Sequence, residues 1–156
     1  MAVATFGAGC FWGVEELFRT LDGVTDTSVG YMGGKTDNPT YQEVCTDTSG
    51  HAEVVQVTFD SDVIAYEKLV ALFFENHNPT QLNRQGPDFG SQYRSVIFYS
   101  DEQQQEVATR LKNELAASGK FTKSIVTAIE PVADYWPAED YHQQYLLKRG
   151  LTSCHI

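Results

Sequence analysis

Two kinds of apolar pattern alternate along this chain, and their alternation limits the possible folds more than any other feature. Short apolar runs predict strands over residues 5–8, 24–31, 53–59, 96–99 and 125–129. Apolar residues at helical spacing predict helices from about residue 14 to Gly23, over 66–74, from Ser100 to Gly119, and over 139–149. The interleaving predicts an α/β (α+β) fold, a two-layer sandwich with a mixed central sheet covered by helices.

Two polar stretches interrupt this pattern, at residues 35–50 and 78–92. Long irregular loops in compact domains are often functional, so both are candidates for site residues. The last seven residues, 150–156, have no apolar periodicity. The sequence therefore predicts one domain over 1–149 followed by a mobile C-terminal tail.

Charge argues against two classes of partner. The formal net charge is −10, whereas binding to nucleic acid or to an anionic membrane surface needs a basic face. No apolar run approaches the length of a membrane span, and the first nine residues lack the basic start and long apolar stretch of a signal peptide. We therefore expect a cytoplasmic protein that binds neither nucleic acid nor membranes.

The chain has three cysteines, Cys10, Cys45 and Cys154. An odd number in an intracellular chain does not indicate a disulfide scaffold. The sequence has no CxxC or HxxxH pair, so we expect no structural zinc site. Catalytic thiol chemistry remains possible.

Cys10 lies where a predicted strand passes into a predicted helix. A helix N-terminus stabilises a thiolate through its backbone N–H groups and its dipole. The neighbouring Phe11 and Trp12 supply aromatic surface beside the sulfur. Cys10 is therefore a candidate nucleophile, and the alternative is a buried, inert cysteine.

Glu53 lies in the clearest predicted strand, where residues two apart share a face. Its neighbours on that face are Val55, Val57 and Phe59. A carboxyl group on an apolar face is disfavoured in its charged form, so it keeps its proton to a higher pH and can serve as a general acid. The alternative is a strand end that reaches solvent.

Other polar candidates lie in the two loops and the tail. The loops contribute Tyr41, His51, Asp88, Tyr93 and Arg94. Cys154 is two residues from the C-terminus, where it is either a bystander or a thiol that reaches Cys10. Cys45 has no evident partner in the sequence.

Four blocks of sequence, in order, resemble the peptide methionine sulfoxide reductases that act on the S epimer of the sulfoxide. They are Gly9-Cys10-Phe11-Trp12-Gly13, Tyr41 to Val44 with Gly50-His51-Ala52-Glu53-Val54, Asn83 to Asp88 with Gly90 to Ser95, and Tyr141-His142-Gln143. The resemblance covers nearly the whole chain. It implies a reductase of methionine sulfoxide, in proteins, in peptides or free, that needs no metal or organic cofactor and uses thioredoxin as reductant. We also expect a monomer.

The resemblance implies roles for the matching residues. Cys10 would be the nucleophile, and Phe11 and Trp12 would wall the pocket for the substrate methyl group. The oxygen-binding residues would be Glu53, Tyr41 and Tyr93, supported by Asp88. The tail would carry the resolving cysteine, Cys154, although many members have two recycling cysteines there. Cys45 matches a cysteine without a catalytic role.

Two other functions use the same residues. The first is a thiol hydrolase with Cys10 as nucleophile and His51 as base. The second is a non-enzymatic redox sensor in which Cys10 and Cys154 respond to oxidants. The hydrolase does not explain a second cysteine, and the sensor does not explain an aromatic wall or Glu53.

Overall fold

A mixed six-stranded sheet forms the centre of the fold in the computed structural model, which describes residues 2–46 and 49–149. The described residues contain eight strands: β1 (Ala2–Ala8), β2 (Val24–Met32), β3 (Ala52–Phe59), β4 (Arg84–Gln85), β5 (Asp88–Phe89), β6 (Ser95–Tyr99), β7 (Ala128–Pro131) and β8 (Trp136–Pro137). The sheet order is β7-β6-β1-β3-β2-β8, and β4 and β5 form a separate hairpin. Strands β6 and β7 are parallel, whereas the other neighbours in the sheet are antiparallel.

Helices cover one face of this sheet. The α-helices are α1 (Phe11–Arg19), α2 (Tyr41–Cys45), α3 (Tyr66–Glu75), α4 (Glu102–Ala117) and α5 (Tyr145–Lys148), with single 3-10 turns at Ser91–Tyr93 and Asp140–His142. Apolar residues of α1, α3 and α4 pack with those of the sheet into the main core. Burial of this apolar surface is the main stabilising contribution to such a layer. The predicted two-layer α/β sandwich with a mixed sheet is confirmed.

The strand register brings four strand ends together. Phe6 of β1 lies opposite Val55 of β3, so the end of β1 meets the start of β3. Tyr31, near the end of β2, lies directly opposite Glu53. Ala8 lies opposite the first residue of β6. Because β1 runs straight into the loop before α1, Cys10 emerges at the same end of the sheet as Glu53.

Helix α4, predicted to begin at Ser100, begins one residue later in the structure. Asp101, not Ser100, is its N-cap, and the Asp101 carboxylate accepts a hydrogen bond from the Gln104 N–H at 2.8 Å. The Gln104 side chain in turn accepts from the Ser100 N–H at 2.9 Å. The negative charge of the Asp101 carboxylate is also favoured at a helix N-terminus, and Gln104 rather than Gln103 takes part in the cap.

The predicted helix over 139–149 is broken in the structure. A 3-10 turn, Asp140–His142, is separated from α5 by Gln144, which has a left-handed φ of 51°. The Gln144 N–H donates to the carboxylate of Glu15 at 2.6 Å, and the Gln143 amide bonds to Val29 of β2. Tertiary hydrogen bonds outweigh local helix propensity here.

Three smaller differences concern the loops and the last strand. The stretch 35–50 contains α2, which Thr40 caps, and the stretch 78–92 contains the β4–β5 hairpin and a 3-10 turn. Strand β7 starts at Ala128, three residues later than predicted.

The predicted tail 150–156, with Cys154, lies outside the described residues. Among the helices described, none combines the length and the apolar character that a bilayer crossing requires.

Candidate active site

Cys10 is the N-cap residue of α1, directly after β1. The chain turns at Gly9, whose φ of +99° is unfavourable for other residues, and a Cβ there would lie 2.9 Å from the Gln85 side chain. The β4–β5 hairpin therefore packs close to the backbone beside Cys10. The half-buried Cys10 sits where the helix dipole and terminal N–H groups favour a thiolate.

Glu53 is the second residue of β3 and is buried, with 1 % of its surface exposed. Its Oε1 atom accepts a hydrogen bond from the backbone N–H of Phe11 at 3.3 Å. Since Phe11 directly follows Cys10, this bond places the buried carboxyl group beside the start of α1. The structure thus brings together the two residues that the sequence singled out as nucleophile and acid.

An aromatic cluster lines the same place. The Phe11 ring lies 5.3 Å from the His142 ring, 5.8 Å from Tyr31 and 6.3 Å from Tyr41, measured between centroids. The Trp12 ring stacks on Tyr145 with a centroid distance of 3.8 Å. We call the set of Phe11, Trp12, Tyr31, Tyr41, His142 and Tyr145 the aromatic cluster. Its rings form an apolar wall with polar groups at their edges.

His142 fixes the orientation of Trp12. The Trp12 indole N–H donates to Nδ1 of His142 at 2.9 Å, so that nitrogen must be unprotonated and the neutral ring carries its proton on Nε2. Burial lowers the pKa of His142, although the nearby charge of Glu139 opposes the shift. His142 is therefore neutral at physiological pH and remains an acceptor for Trp12.

The phenol of Tyr93 lies near the other polar residues predicted for the site. Burial raises the pKa of Tyr93 above its ordinary value, and nearby negative charges raise it further. When ionised, Glu53, Cys45, Asp88 and Cys10 supply these charges, in decreasing order of effect. A phenol with a raised pKa keeps its proton at neutral pH and can donate a hydrogen bond to a substrate oxygen.

Tyr41, the first residue of α2, also lies near Glu53 and Tyr93. Burial raises its pKa, followed by the charge of Glu53 and a hydrogen bond with Cys45. Burial raises the pKa of Cys45, and its hydrogen bond with Tyr41 only partly opposes this effect. Cys45, for which the sequence offered no partner, is therefore a neighbour of the site through Tyr41.

His51 has a different place from the one that a hydrolase would require. Its Nδ1 accepts from the Gly34 N–H at 3.0 Å, and its Nε2 bonds to the Thr36 carbonyl at 2.7 Å. Both nitrogens are thus occupied by backbone groups, and the ring is buried. His51 holds the loop after β2 in place and has no nitrogen left to act as a base. This arrangement argues against the thiol hydrolase.

No functional role was predicted from the sequence for several residues at this end of the sheet. Tyr31, Glu139, His142 and Tyr145 contact the site residues but come from β2 and from the segment after β8. The available signal was the high number of tyrosines, since a buried tyrosine needs a partner for its hydroxyl. Across residues 2–46 and 49–149, no group of three or more His, Cys, Asp or Glu side chains is placed to hold a metal ion.

The fold and the site place the chain among the enzymes that reduce oxidised methionine. Residues 2–156 match the family model described as peptide methionine sulfoxide reductase. The chain belongs to this family.

Individual relatives agree with the family model. The peptide methionine sulfoxide reductase MsrA of Acidobacterium capsulatum is 60 % identical over the full length of both chains. The reduced form of Mxr1 from Saccharomyces cerevisiae superposes with a TM-score of 0.89 at 38 % identity, over 96 % of this chain and 86 % of that one. The structure of Mxr1 in complex with Trx2 superposes with a TM-score of 0.65 at 27 % identity, over 92 % and 84 % of the two chains.

The Trp12–His142 hydrogen bond makes a pH-dependent prediction. Because the pKa of His142 is lowered, the bond persists at neutral pH and is lost as the pH falls through a value below about 6.5. The indole N–H proton of Trp12 should then shift upfield in ¹H–¹⁵N spectra recorded from pH 8 to pH 5. The Trp136 indole signal serves as the internal control.

The His142→Leu variant tests whether the Trp12 shift comes from the hydrogen bond to His142. In His142→Leu the Trp12 indole signal should lie upfield at every pH and should not titrate. A Trp12 signal that is the same in this variant as in the unmodified protein at pH 8 would show that the bond does not form.

Proposed function

We propose that this protein reduces methionine-(S)-sulfoxide to methionine, in oxidised proteins, in peptides or as the free amino acid, with Cys10 as the nucleophile. The observation that carries the proposal is the hydrogen bond from the Phe11 N–H to Glu53, which sets a buried carboxylic acid beside the nucleophile. Membership of the peptide methionine sulfoxide reductase family supports the reaction and the substrate.

The reaction follows from these positions. The Cys10 thiolate attacks the electrophilic sulfur of the sulfoxide while Glu53 delivers a proton to its oxygen. The attack forms a bond between the two sulfur atoms; as that bond and the S–O bond of the substrate break, the protonated oxygen moves to the Cys10 sulfur. Methionine leaves with its sulfur reduced by two electrons, and Cys10 becomes a sulfenic acid. The sulfur of Cys10 is oxidised by the same two electrons, so the step is balanced and needs no metal or organic cofactor.

The remaining site residues bind and orient the substrate. Tyr41 and Tyr93, both of which keep their protons, donate hydrogen bonds to the sulfoxide oxygen as negative charge develops on it. Asp88 acts on Tyr93 from the β4–β5 hairpin. Phe11 and Trp12 form the apolar wall against the substrate methyl group. Charge stabilisation on one side and an apolar wall on the other would select the S epimer.

A second thiol completes the cycle. The thiolate of Cys154, in the tail 150–156, attacks the sulfenic acid of Cys10, which releases water and forms a disulfide. Thioredoxin then reduces that disulfide by thiol–disulfide exchange. The complex of the related Mxr1 with Trx2 supports a thioredoxin as the reductant. The catalytic domain is then 1–149, and the cytoplasm, where thiols are kept reduced, is the location that suits this chemistry.

The test of the function is a single turnover without reductant. Reduced protein mixed with one equivalent of a peptide containing methionine-(S)-sulfoxide should form methionine and lose about two thiols per methionine. The R epimer should not react, and Cys10→Ser should form no methionine with any reductant. Cys45→Ser, which keeps a hydroxyl group that can hydrogen-bond Tyr41, is the control and should form the same amount of methionine and lose the same number of thiols. Methionine formation by Cys10→Ser would contradict the proposal, and thiol loss without methionine would favour a redox sensor.

The role of Glu53 makes a second prediction. Glu53→Gln keeps the shape and an oxygen that can accept from the Phe11 N–H, but it has no acidic proton to give. The rate of the single-turnover step should fall on the order of 10²-fold or more, the scale of general acid catalysis. Glu75→Gln, at the exposed end of α3, is the matched control. An unchanged rate in Glu53→Gln would show that Glu53 serves only the structure.

The role of Cys154 separates the two halves of the cycle. Cys154→Ser should still form one equivalent of methionine, because the first step needs Cys10 alone. Recycling by thioredoxin should fail or slow greatly, since thioredoxin attacks a disulfide, while dithiothreitol can reduce the sulfenic acid directly. Steady-state rates with each reductant measure the difference. If Cys154→Ser recycles normally with thioredoxin, Cys154 is a bystander.

A further inference from the structure

The carboxylate of Glu139 joins three segments around the site. Its Oε1 accepts a hydrogen bond from the hydroxyl of Tyr31 at 3.0 Å. Its Oε2 accepts from the backbone N–H of Tyr41 at 3.1 Å and from the hydroxyl of Tyr141 at 3.3 Å. Glu139 itself is the N-cap of the 3-10 turn Asp140–His142. Strand β2, helix α2 and this turn therefore meet at one carboxylate.

Glu139 is charged in this arrangement. Burial works against the charge, but hydrogen bonds from its own backbone N–H, from the Tyr41 N–H and from the Tyr31 hydroxyl outweigh it and lower the pKa of Glu139. All the contacts come from donors, which a carboxylate with two acceptor oxygens satisfies. A neutral amide of the same shape would turn an NH₂ group towards one of these donors and lose that bond.

Two of the three tyrosines bonded to Glu139, Tyr31 and Tyr41, belong to the aromatic cluster. Tyr31 is the cross-strand neighbour of Glu53, and its ring lies 5.8 Å from Phe11. Tyr41 has its ring 4.5 Å from His142 and 6.5 Å from Trp12. Because the bond to Glu139 is made at the first residue of α2, it fixes the backbone from which the Tyr41 ring projects towards the site.

The first N–H group of α2, that of Tyr41, needs a hydrogen-bond acceptor from outside the helix. Thr40 is the N-cap, and its hydroxyl accepts from the N–H of Glu43 at 3.2 Å. The N–H of Tyr41 has no acceptor within a helix that starts at that residue, so its partner must come from elsewhere in the chain. Glu139 is that partner, 98 positions away.

We propose that Glu139 is a positioning residue for sulfoxide reduction, which holds Tyr41 and Tyr31 in place against Cys10 and Glu53 without touching the substrate. The inference rests on the proposed function, because it takes the Tyr41 hydroxyl to stabilise the sulfoxide oxygen in the transition state. The segment after β8 thereby supports the reaction, in addition to the nucleophile, the acid and the substrate-binding residues.

The test compares Glu139→Gln with Asp140→Asn, which removes the same charge from the exposed neighbouring side chain. For each protein, the single-turnover rate and the affinity for the sulfoxide peptide are measured separately. In Glu139→Gln the rate should fall about tenfold, the effect of losing one hydrogen bond to a charged group. The affinity should change less than about twofold, because an interaction made in the transition state affects the rate and not ground-state binding. Asp140→Asn should match the unmodified protein.

A double-mutant cycle shows whether Glu139 acts through Tyr41. Tyr41→Phe alone should lower the rate, and adding Glu139→Gln to it should cost clearly less than the tenfold expected when Tyr41 is present, because only the contribution through Tyr31 is left. Equal losses in both backgrounds would overturn the inference, and so would a Glu139→Gln rate equal to that of Asp140→Asn.

The experiment distinguishes a failure of the proposed function from a failure of the positioning role. If the unmodified protein forms no methionine, the proposed function fails, whereas a normal rate in an active Glu139→Gln protein defeats only the positioning role. If Glu139→Gln does not fold, Tyr31→Phe tests the same carboxylate from its other oxygen and keeps the charge. The rate of Tyr31→Phe should fall a few-fold, about 1 kcal/mol for a single hydrogen bond, and a rate equal to that of the unmodified protein would overturn the inference.

Discussion

The hydrogen bond from the Phe11 N–H to Glu53 fixes the start of α1 relative to β3, and the rest of the site is arranged around it. Cys10 precedes the donor, Trp12 follows it, and the acceptor is a carboxyl group with almost no access to water. Loss of the acceptor would leave a buried N–H without a partner at the point where Cys10 emerges, which is costly. One contact therefore ties the start of α1, and with it Cys10, to the carboxyl group of Glu53.

Around this contact, three of the aromatic rings are oriented by a hydrogen bond at their polar edge. Trp12 is held by His142, Tyr41 by Cys45, and Tyr31 by Glu139. Packing alone leaves such rings free to tilt, whereas a hydrogen bond at the edge fixes their direction. A small sulfoxide is mostly recognised by one oxygen and one methyl group, so a site for it needs rings of fixed direction more than it needs many contacts.

The parts of the site that the sequence predicted are those that depend on local spacing. Cys10 follows from the passage of a strand into a helix, and Glu53 from the two-residue period of β3. Glu139 and His142 could not be found in this way, because their partners lie 98 to 130 positions away. The same long-range bonds explain the one large error in secondary structure, since Glu15 holds Gln144 in a left-handed conformation that interrupts the expected helix.

The wide sequence separation of these contacts has a consequence for how the protein is made. The Trp12–His142 and Glu15–Gln144 bonds close loops of 130 and 129 residues. Contacts of this kind form late, because the entropy of closing the loop must be overcome first, and on the ribosome they must wait until all the residues between the partners have been synthesised. Trp12, beside the cysteine, is synthesised 130 residues before its partner His142. During that interval the nascent chain carries the Cys10 thiol without the ring contacts that surround it in the folded protein.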